Sequence, residues 1–338
     1  MLAQLLGLVA RRLFAASFLL VGIVFLTFAL SRLLPGDPAR MYAGARATPE
    51  AVALVRQQLG LDAPVLTQFQ TYVTALAQGD LGLSIVTRRP VVEDVLSFLP
   101  ATVELVLAAA VIGILAGTAL GTWAACRQER LPDYSARGLA VLGLSLPDFW
   151  LAILMQLIFF SALGWLPLGD RLNLDTLPPP TVTGLLLPDA LLAGNLPLAW
   201  EILRHLALPA LVLSLPLAGL LTRTTRAATI EVLGKDYVRH ARAKGLSRRR
   251  ILIRHVMRNA MMPGVTVIGL QLGFMISGAV LVETVFNWPG VGRYAAQAIR
   301  AVDYNAIMAM TLILSCAYVL INLAVDLAYV WLDPRLRS

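Results

Sequence analysis

Charge is scarce in this chain. Only 14% of its 338 residues are Asp, Glu, Lys or Arg, against roughly 25% in a soluble domain. Apolar residues make up 58% and come in long uncharged blocks rather than at helical or strand period. An ordinary soluble enzyme is thereby excluded. Cysteine is limited to Cys126 and Cys316, each at or inside an apolar block, which excludes a disulfide framework. Lysine is limited to Lys235 and Lys244, followed by Asp236 and Gly245. A P-loop needs its lysine followed by Ser or Thr after a glycine-rich turn, so ATP is not hydrolysed here by that machinery. His205, His240 and His255 lack zinc-protease spacing, and no serine sits in a Gly-x-Ser-x-Gly elbow. The sequence therefore assigns no metal site and no catalytic residue.

What is present is a set of membrane spans. Arg11 and Arg12 precede an apolar run over 13–31, long enough for a ~30 Å hydrocarbon core and too long for a signal-peptide core of about 7 to 15 residues. Further blocks occupy 101–125, 138–163, 206–222, 264–282 and 307–332. The expected fold is an all-α membrane protein with six transmembrane helices. Lys and Arg accumulate on the cytoplasmic side of such proteins. Here they gather before span one, after span two (Arg127, Arg130, Arg137), in the segment between spans four and five, and in the tail (Arg335, Arg337). Both termini are thus expected to be cytoplasmic.

The net charge of +8 has one source. From Arg223 to Arg258 eleven lysines and arginines stand against two acids, Glu231 and Asp236, leaving the rest close to neutral. Placed between apolar blocks, this run reads as a cytoplasmic loop rather than a nucleic-acid site. The chain divides into 1–34 with the first span, an outer segment 35–100, and a core 101–338 that includes the basic loop 223–262. In the outer segment Thr48 before Pro49-Glu50 starts a helix and Gly60 stops it, and a second helix over 64–78 ends at Gly79. A small helical extracytoplasmic cap is expected.

The basic loop is patterned as two helices meeting at Lys244-Gly245-Leu246, where glycine permits the positive φ of a sharp reversal. Ser247 caps the second helix, whose Ile251, Leu252, Ile253, Val256 and Met257 form an apolar stripe beside five arginines. Tyr237, Val238, Ala241 and Leu246 are expected to form an apolar tip in a basic rim, the anatomy of a docking site.

The run Asp236-Tyr237-Val238-Arg239-His240-Ala241-Arg242-Ala243-Lys244-Gly245-Leu246, with Arg254-His255 and Arg258-Asn259-Ala260 up to Pro263, resembles the EAA loop of binding-protein-dependent ABC importer permeases, closest to the dipeptide/oligopeptide/nickel branch. Other matches follow in order: Leu33-Leu34-Pro35-Gly36-Asp37-Pro38, Leu59-Gly60-Leu61-Asp62-Ala63-Pro64, Gly79-Asp80-Leu81-Gly82-Leu83-Ser84, Leu99-Pro100-Ala101-Thr102-Val103-Glu104-Leu105, Glu283-Thr284-Val285-Phe286 with Trp288-Pro289-Gly290, and Leu332-Asp333-Pro334-Arg335. The long outer segment is similar to that of the B-type inner-membrane subunit. Two departures stand out: Glu-Ala-Ala falls on Arg239-His240-Ala241, and Val302-Asp303-Tyr304-Asn305 replaces the branch's Arg-Asp-Tyr-Pro.

The resemblance implies a transport subunit, not an enzyme, in a bacterial-type plasma membrane. It implies a homologous C-type permease as heterodimer partner, two ABC ATPase subunits that bind ATP and Mg, an extracytoplasmic solute-binding protein, and no cofactor in this chain. Coupling would fall to Tyr237, Val238, Arg239, Ala241, Arg242, Lys244, Gly245 and Leu246, with Gly245 setting the bend. The solute would be a di- or oligopeptide or a related small molecule. An ion-coupled secondary transporter is the other class considered, because prolines 147, 209 and 216 suggest broken helices and Glu104, Asp148 and Asp326 are intramembrane acids; the internal repeat usual for that class is missing. Asp148, near the midplane behind Pro147, is expected either to cap the next helical segment or to line the translocation path. Gly269, Gly273 and Ser277, at four-residue steps in span five, are expected to form a close-packing face.

Overall fold

A computed structural model describes residues 2–33, 38–44, 46–58 and 60–332. The stretch 34–37, Leu59, the tail 333–338 and the side chains of Arg11, Arg12 and Asp326 lie outside the described residues. In chain order the helices are α1 (Leu2–Leu33), α2 (Pro38–Ala43), α3 (Pro49–Gln58), α4 (Val65–Ala77), α5 (Val91–Cys126), α6 (Leu131–Ser145), α7 (Asp148–Met155) continued by a π-helical stretch (Gln156–Ala162), α8 (Leu186–Leu192), α9 (Leu196–Leu233), α10 (Asp236–Ala243), α11 (Arg248–Arg250), a second π-helical stretch (Ile251–Met257), α12 (Arg258–Ala260), α13 (Met262–Val285), α14 (Val291–Ala301) and α15 (Tyr304–Leu332). Among the described residues four helices, α5, α9, α13 and α15, are long and apolar enough to cross a membrane; the bent α6–α7 pair is a fifth where it counts as one span, and α1 contributes a shorter apolar stretch, Phe14–Ala29.

Two compact units divide the chain: one holds 100–292 and 320–338, the other 2–99 and 293–319. In the larger unit the core is built where α5, α7, α9 and α13 bring Leu105, Ala109, Leu151, Leu213, Leu217, Met275 and Val282 together. Helices approach closely there because one partner lacks side chains. Gly113, Gly117 and Gly121 of α5 lie against Leu217, Ala218 and Thr222 of α9, and Gly219 of α9 lies against Ala140 of α6. Gly269 of α13 likewise meets Val325 of α15, and Gly273 is buried, but Ser277 is exposed. Of the small-residue face expected in span five, Gly269 and Gly273 are thus covered within this chain and Ser277 is not.

Buried polar groups tie this unit together at both ends. At one end Thr102 Oγ1 donates to Glu283 (2.5 Å) and accepts from Val291 N (2.9 Å), and Trp288 Nε1 donates to Ala101 O (2.9 Å). Glu104 is paired with Arg171 and accepts from Leu187 N (2.7 Å), while His205 Nδ1 meets Gly169 O at 2.7 Å. At the other end Arg226 donates to Asp133 through Nε (2.5 Å) and Nη2 (2.7 Å), and Thr122 Oγ1 donates to Met257 Sδ (3.2 Å). The segment α6–α7 starts beside Arg226, and Gly164, just after the π-helical stretch, lies beside Arg204 and His205, since Arg204 Nη2 donates to Trp165 O (2.8 Å). The pair therefore runs through the unit from end to end.

The break expected at Pro147 is present: α6 and α7 are bent by 109° around Leu146-Pro147, because proline cannot continue the hydrogen-bond ladder and its predecessor is held extended. Pro209 and Pro216, by contrast, do not break α9, which continues through both; packing on α5, α6 and α13 holds it together. Glu104 anchors the segment 163–195 between the π-helical stretch and α9, through Arg171 and Leu187.

The smaller unit carries the helical segments expected after span one. Thr48 Oγ1 accepts from Ala51 N (3.3 Å) at the start of α3. Phe69 and Tyr72 of α4 pack their rings on Phe28 of α1 at 5.2 and 5.8 Å. Buried Asp303 organises the unit. Its Oδ2 accepts from Ser84 Oγ (2.6 Å), Ile85 N (2.7 Å) and Val86 N (3.3 Å), and its Oδ1 caps α15 through Ala306 N (3.3 Å). Asp303→Ala leaves these donors without their acceptor, at about 1 to 3 kcal/mol for each one that stays buried. Hydrogen exchange at Ile85, Val86 and Ala306 is expected to accelerate while α9 and α13 stay protected; unchanged exchange at all three amides would contradict the assignment.

Candidate functional site

Where α9 leaves the core, Gly234 and Lys235 interrupt the helix, and the basic loop folds as a small body with its own core. Valines 232, 238 and 256, Ala241, Ile251 and Ala260 are all buried in it, with Leu233, Leu246 and Leu252 packed around them. The reversal after α10 follows the Schellman pattern: Leu246 N donates to Ala241 O (3.3 Å) and Gly245 N to Arg242 O (2.9 Å), with Gly245 at φ +74°. Ser247 Oγ then accepts from Arg250 N (3.4 Å) and caps the second helix. Reversal and cap together fix the angle between the two helical pieces.

This geometry separates the residues that the sequence grouped. Val238 and Ala241 point inward and are buried, so they hold α10 to the loop's core rather than forming an outer tip. Tyr237 is 42% exposed, Leu246 half-buried and Ile253, on the second helix, exposed, so the apolar part of the outer surface is theirs. Arg239, Arg242, Lys244 and Gly245 are exposed. The Tyr237 hydroxyl accepts from Asn259 Nδ2 (2.8 Å), which fixes the ring against α12. Sequence reading missed Asn259 in this role, although it lies in the same motif. A further route into the transmembrane core passes through Met257, held by Thr122 of α5. Exposed cations around a few apolar side chains on a helix-fused body with its own core make a surface suited to a partner with an acidic rim and an apolar groove.

Asp148 lies in the larger unit, remote from this loop in sequence. Pro147 holds the cap position of α7 and Asp148 is the first helical residue, with no side-chain capping bond. The capping role expected for it is therefore not realised; a residue inside the helix cannot reach its first amides as the preceding one can.

Comparison with known proteins gives the family. The family described as "Binding-protein-dependent transport system inner membrane component" matches residues 117–338, and its N-terminal companion matches 5–106. The chain belongs to this family. Its relatives include the "Probable D,D-dipeptide transport system permease protein DdpB" of Escherichia coli K12, 45% identical over 98% of this chain and 97% of the relative. The "Dipeptide transport system permease protein DppB" of Alkalihalophilus pseudofirmus is 40% identical over 97% and 98%, and the "Glutathione transport system permease protein GsiC" of Salmonella paratyphi A 41% identical over 98% and 99%. Among solved structures, an inward-facing form of the MetNI methionine ABC transporter aligns with a TM-score of 0.49 and 16% identity, covering 72% of this chain and 96% of that one. This permease is a multi-pass component of the inner membrane and a transport subunit. Within it, the loop from Lys235 to Ala260 has a small core of its own beneath an exposed basic surface.

Proposed function

We propose that the chain is the B-type permease of an ATP-driven, binding-protein-dependent importer of di- or oligopeptides. It would cross the membrane six times with both termini cytoplasmic and pair with a homologous permease. Two ATPase subunits would carry ATP and Mg, and an external binding protein would deliver solute to the outer side. The observation that carries this reading is the loop's construction: α10 is locked to its own core by Val238 and Ala241, reversed at Gly245, and joined directly to α9. Motion imposed on such a body passes to the transmembrane helices rather than being absorbed by a flexible loop. Tyr237 and Leu246 would seat in the ATPase, with Arg239, Arg242 and Lys244 meeting its acidic rim. Relatives named for dipeptide and glutathione transport support peptides as the solute class.

The test is reconstitution. The chain, expressed with the second permease and the ATPases, should co-purify as one complex. In proteoliposomes supplied with the binding protein it should take up Ala-Ala only when ATP is present. Uptake by the chain alone, driven by an ion gradient, would overturn the reading.

A further inference from the structure

The acidic side chains buried in this permease are engaged. Asp94, Glu104, Asp133, Asp189 and Asp303 each accept at least one hydrogen bond. Asp148 is half-buried and accepts none among the described residues. It sits against α13 and α9: a Cβ placed on Gly278 of α13 would lie 3.4 Å from Asp148 Oδ2 and 3.5 Å from Leu213 of α9, so the carboxylate stands where three core helices meet. Depth follows from α9. Leu213 is eight residues from His205, which marks one end of the unit, and thirteen from Arg226, which marks the other, or about 12 and 20 Å at 1.5 Å per residue. Asp148 is thus near the middle of a hydrocarbon layer about 30 Å thick.

A carboxylate at that depth costs at least about 2.5 to 3.5 kcal/mol if it faces lipid, so it is retained where water or a cation reaches it. The 109° break places it at the start of α7, whose first amides lack intrahelical acceptors. A divalent metal is a poor occupant, since such ions take several ligands and this site offers one. A protonated amine fits, because one charge-assisted hydrogen bond holds it and lets it leave.

We infer that Asp148 lies on the translocation path and receives the protonated amino group of the solute, the amino terminus of a short peptide being the class that it fits. This inference rests on the peptide-importer reading above. It narrows the solute to molecules with a free ammonium group and makes the broken span a recognition point within the membrane.

The test uses the complete complex in proteoliposomes, with Ala-Ala as probe. Loss of one charge-assisted hydrogen bond should lower uptake by Asp148→Asn about tenfold, with co-purification of all subunits and basal ATP hydrolysis unchanged. Asp148→Glu, which keeps the charge, should retain most uptake. In a chain carrying Cys126→Ser, Cys316→Ser and Asp148→Cys, the new thiol should react with a water-soluble methanethiosulfonate. Wild-type uptake by Asp148→Asn would overturn the inference, and so would a thiol that stays unreactive. Loss of the second permease on purification of Asp148→Asn would assign the carboxylate to the subunit interface instead. If the wild-type complex moves no peptide under ATP, the importer reading itself fails and this inference goes with it, an outcome separate from failure of the variant.

Discussion

Gly245→Val should abolish most ATP-coupled uptake while the permease still inserts and binds its partners. A Cβ at this position meets nothing within 4 Å, so the effect comes from the backbone alone. At φ +74° an ordinary residue carries roughly 1 to 2 kcal/mol of strain, and a β-branched residue more. That is enough to shift the reversal between α10 and α11 out of its Schellman geometry in most molecules, and with it the placement of Tyr237 and Leu246. ATP hydrolysis by the assembled complex should continue, uncoupled from uptake. Gly245→Asn is the control, because asparagine adopts this conformation more readily and should keep much of the coupling. Equal uptake by wild type and the valine variant at equal expression would remove Gly245 from the mechanism.

Asp133→Ala should be the most destabilising single change in the larger unit. Asp133 is fully buried, receives both arms of Arg226, accepts from Glu129 N (3.0 Å) and lies 3.7 Å from Arg137 Nε. It joins the start of α6 to α9 just before the basic loop. Removing one partner of such a pair strands the other charge, typically at a cost of 3 to 5 kcal/mol. The expected readout is a large drop in the detergent-solubilised melting temperature and loss of uptake. Asp133→Leu combined with Arg226→Met should recover much of the stability, since the two apolar replacements no longer leave a buried charge alone. A single variant that melts with the wild type would show that the pair contributes little.

How much of this was legible in the sequence depends on the range of the interaction. The caps at Thr48 and Ser247 and the reversal at Gly245 are local, set by residues within one turn, and the sequence marks each of them. The span positions follow from uncharged length alone. Burial is another matter: α10 has apolar residues on more than one face, and only the arrival of Ile251 and Val256 from the second helix decides that Val238 and Ala241 turn inward while Tyr237 stays out. The same holds for proline. Nothing near Pro147, Pro209 or Pro216 says that the first ends a helix and the others do not; for α9 the answer lies in the neighbours pressed along its length. The glycine stripe at 113, 117 and 121 is legible at four-residue steps, but a stripe alone does not name its partner helix, and only the structure puts α9 there. Asp148 illustrates the limit. Its presence in an apolar block was plain, but only the structure shows that it is the first residue of α7 and carries no capping bond.

The contacts of α5 also bear on biogenesis. Glu104 and Thr102 find their partners, Arg171 and Glu283, 67 and 181 residues further along the chain. At about 5 to 20 residues per second, the translating ribosome supplies Arg171 roughly 3 to 13 s after Glu104 and Glu283 roughly 9 to 36 s after Thr102. During that interval a carboxyl and a hydroxyl near the end of a newly inserted helix have no protein partner, so α5 must hold a position where headgroups and water serve them. Its final depth is settled late, when α13 arrives from the translocon and Glu283 closes on Thr102.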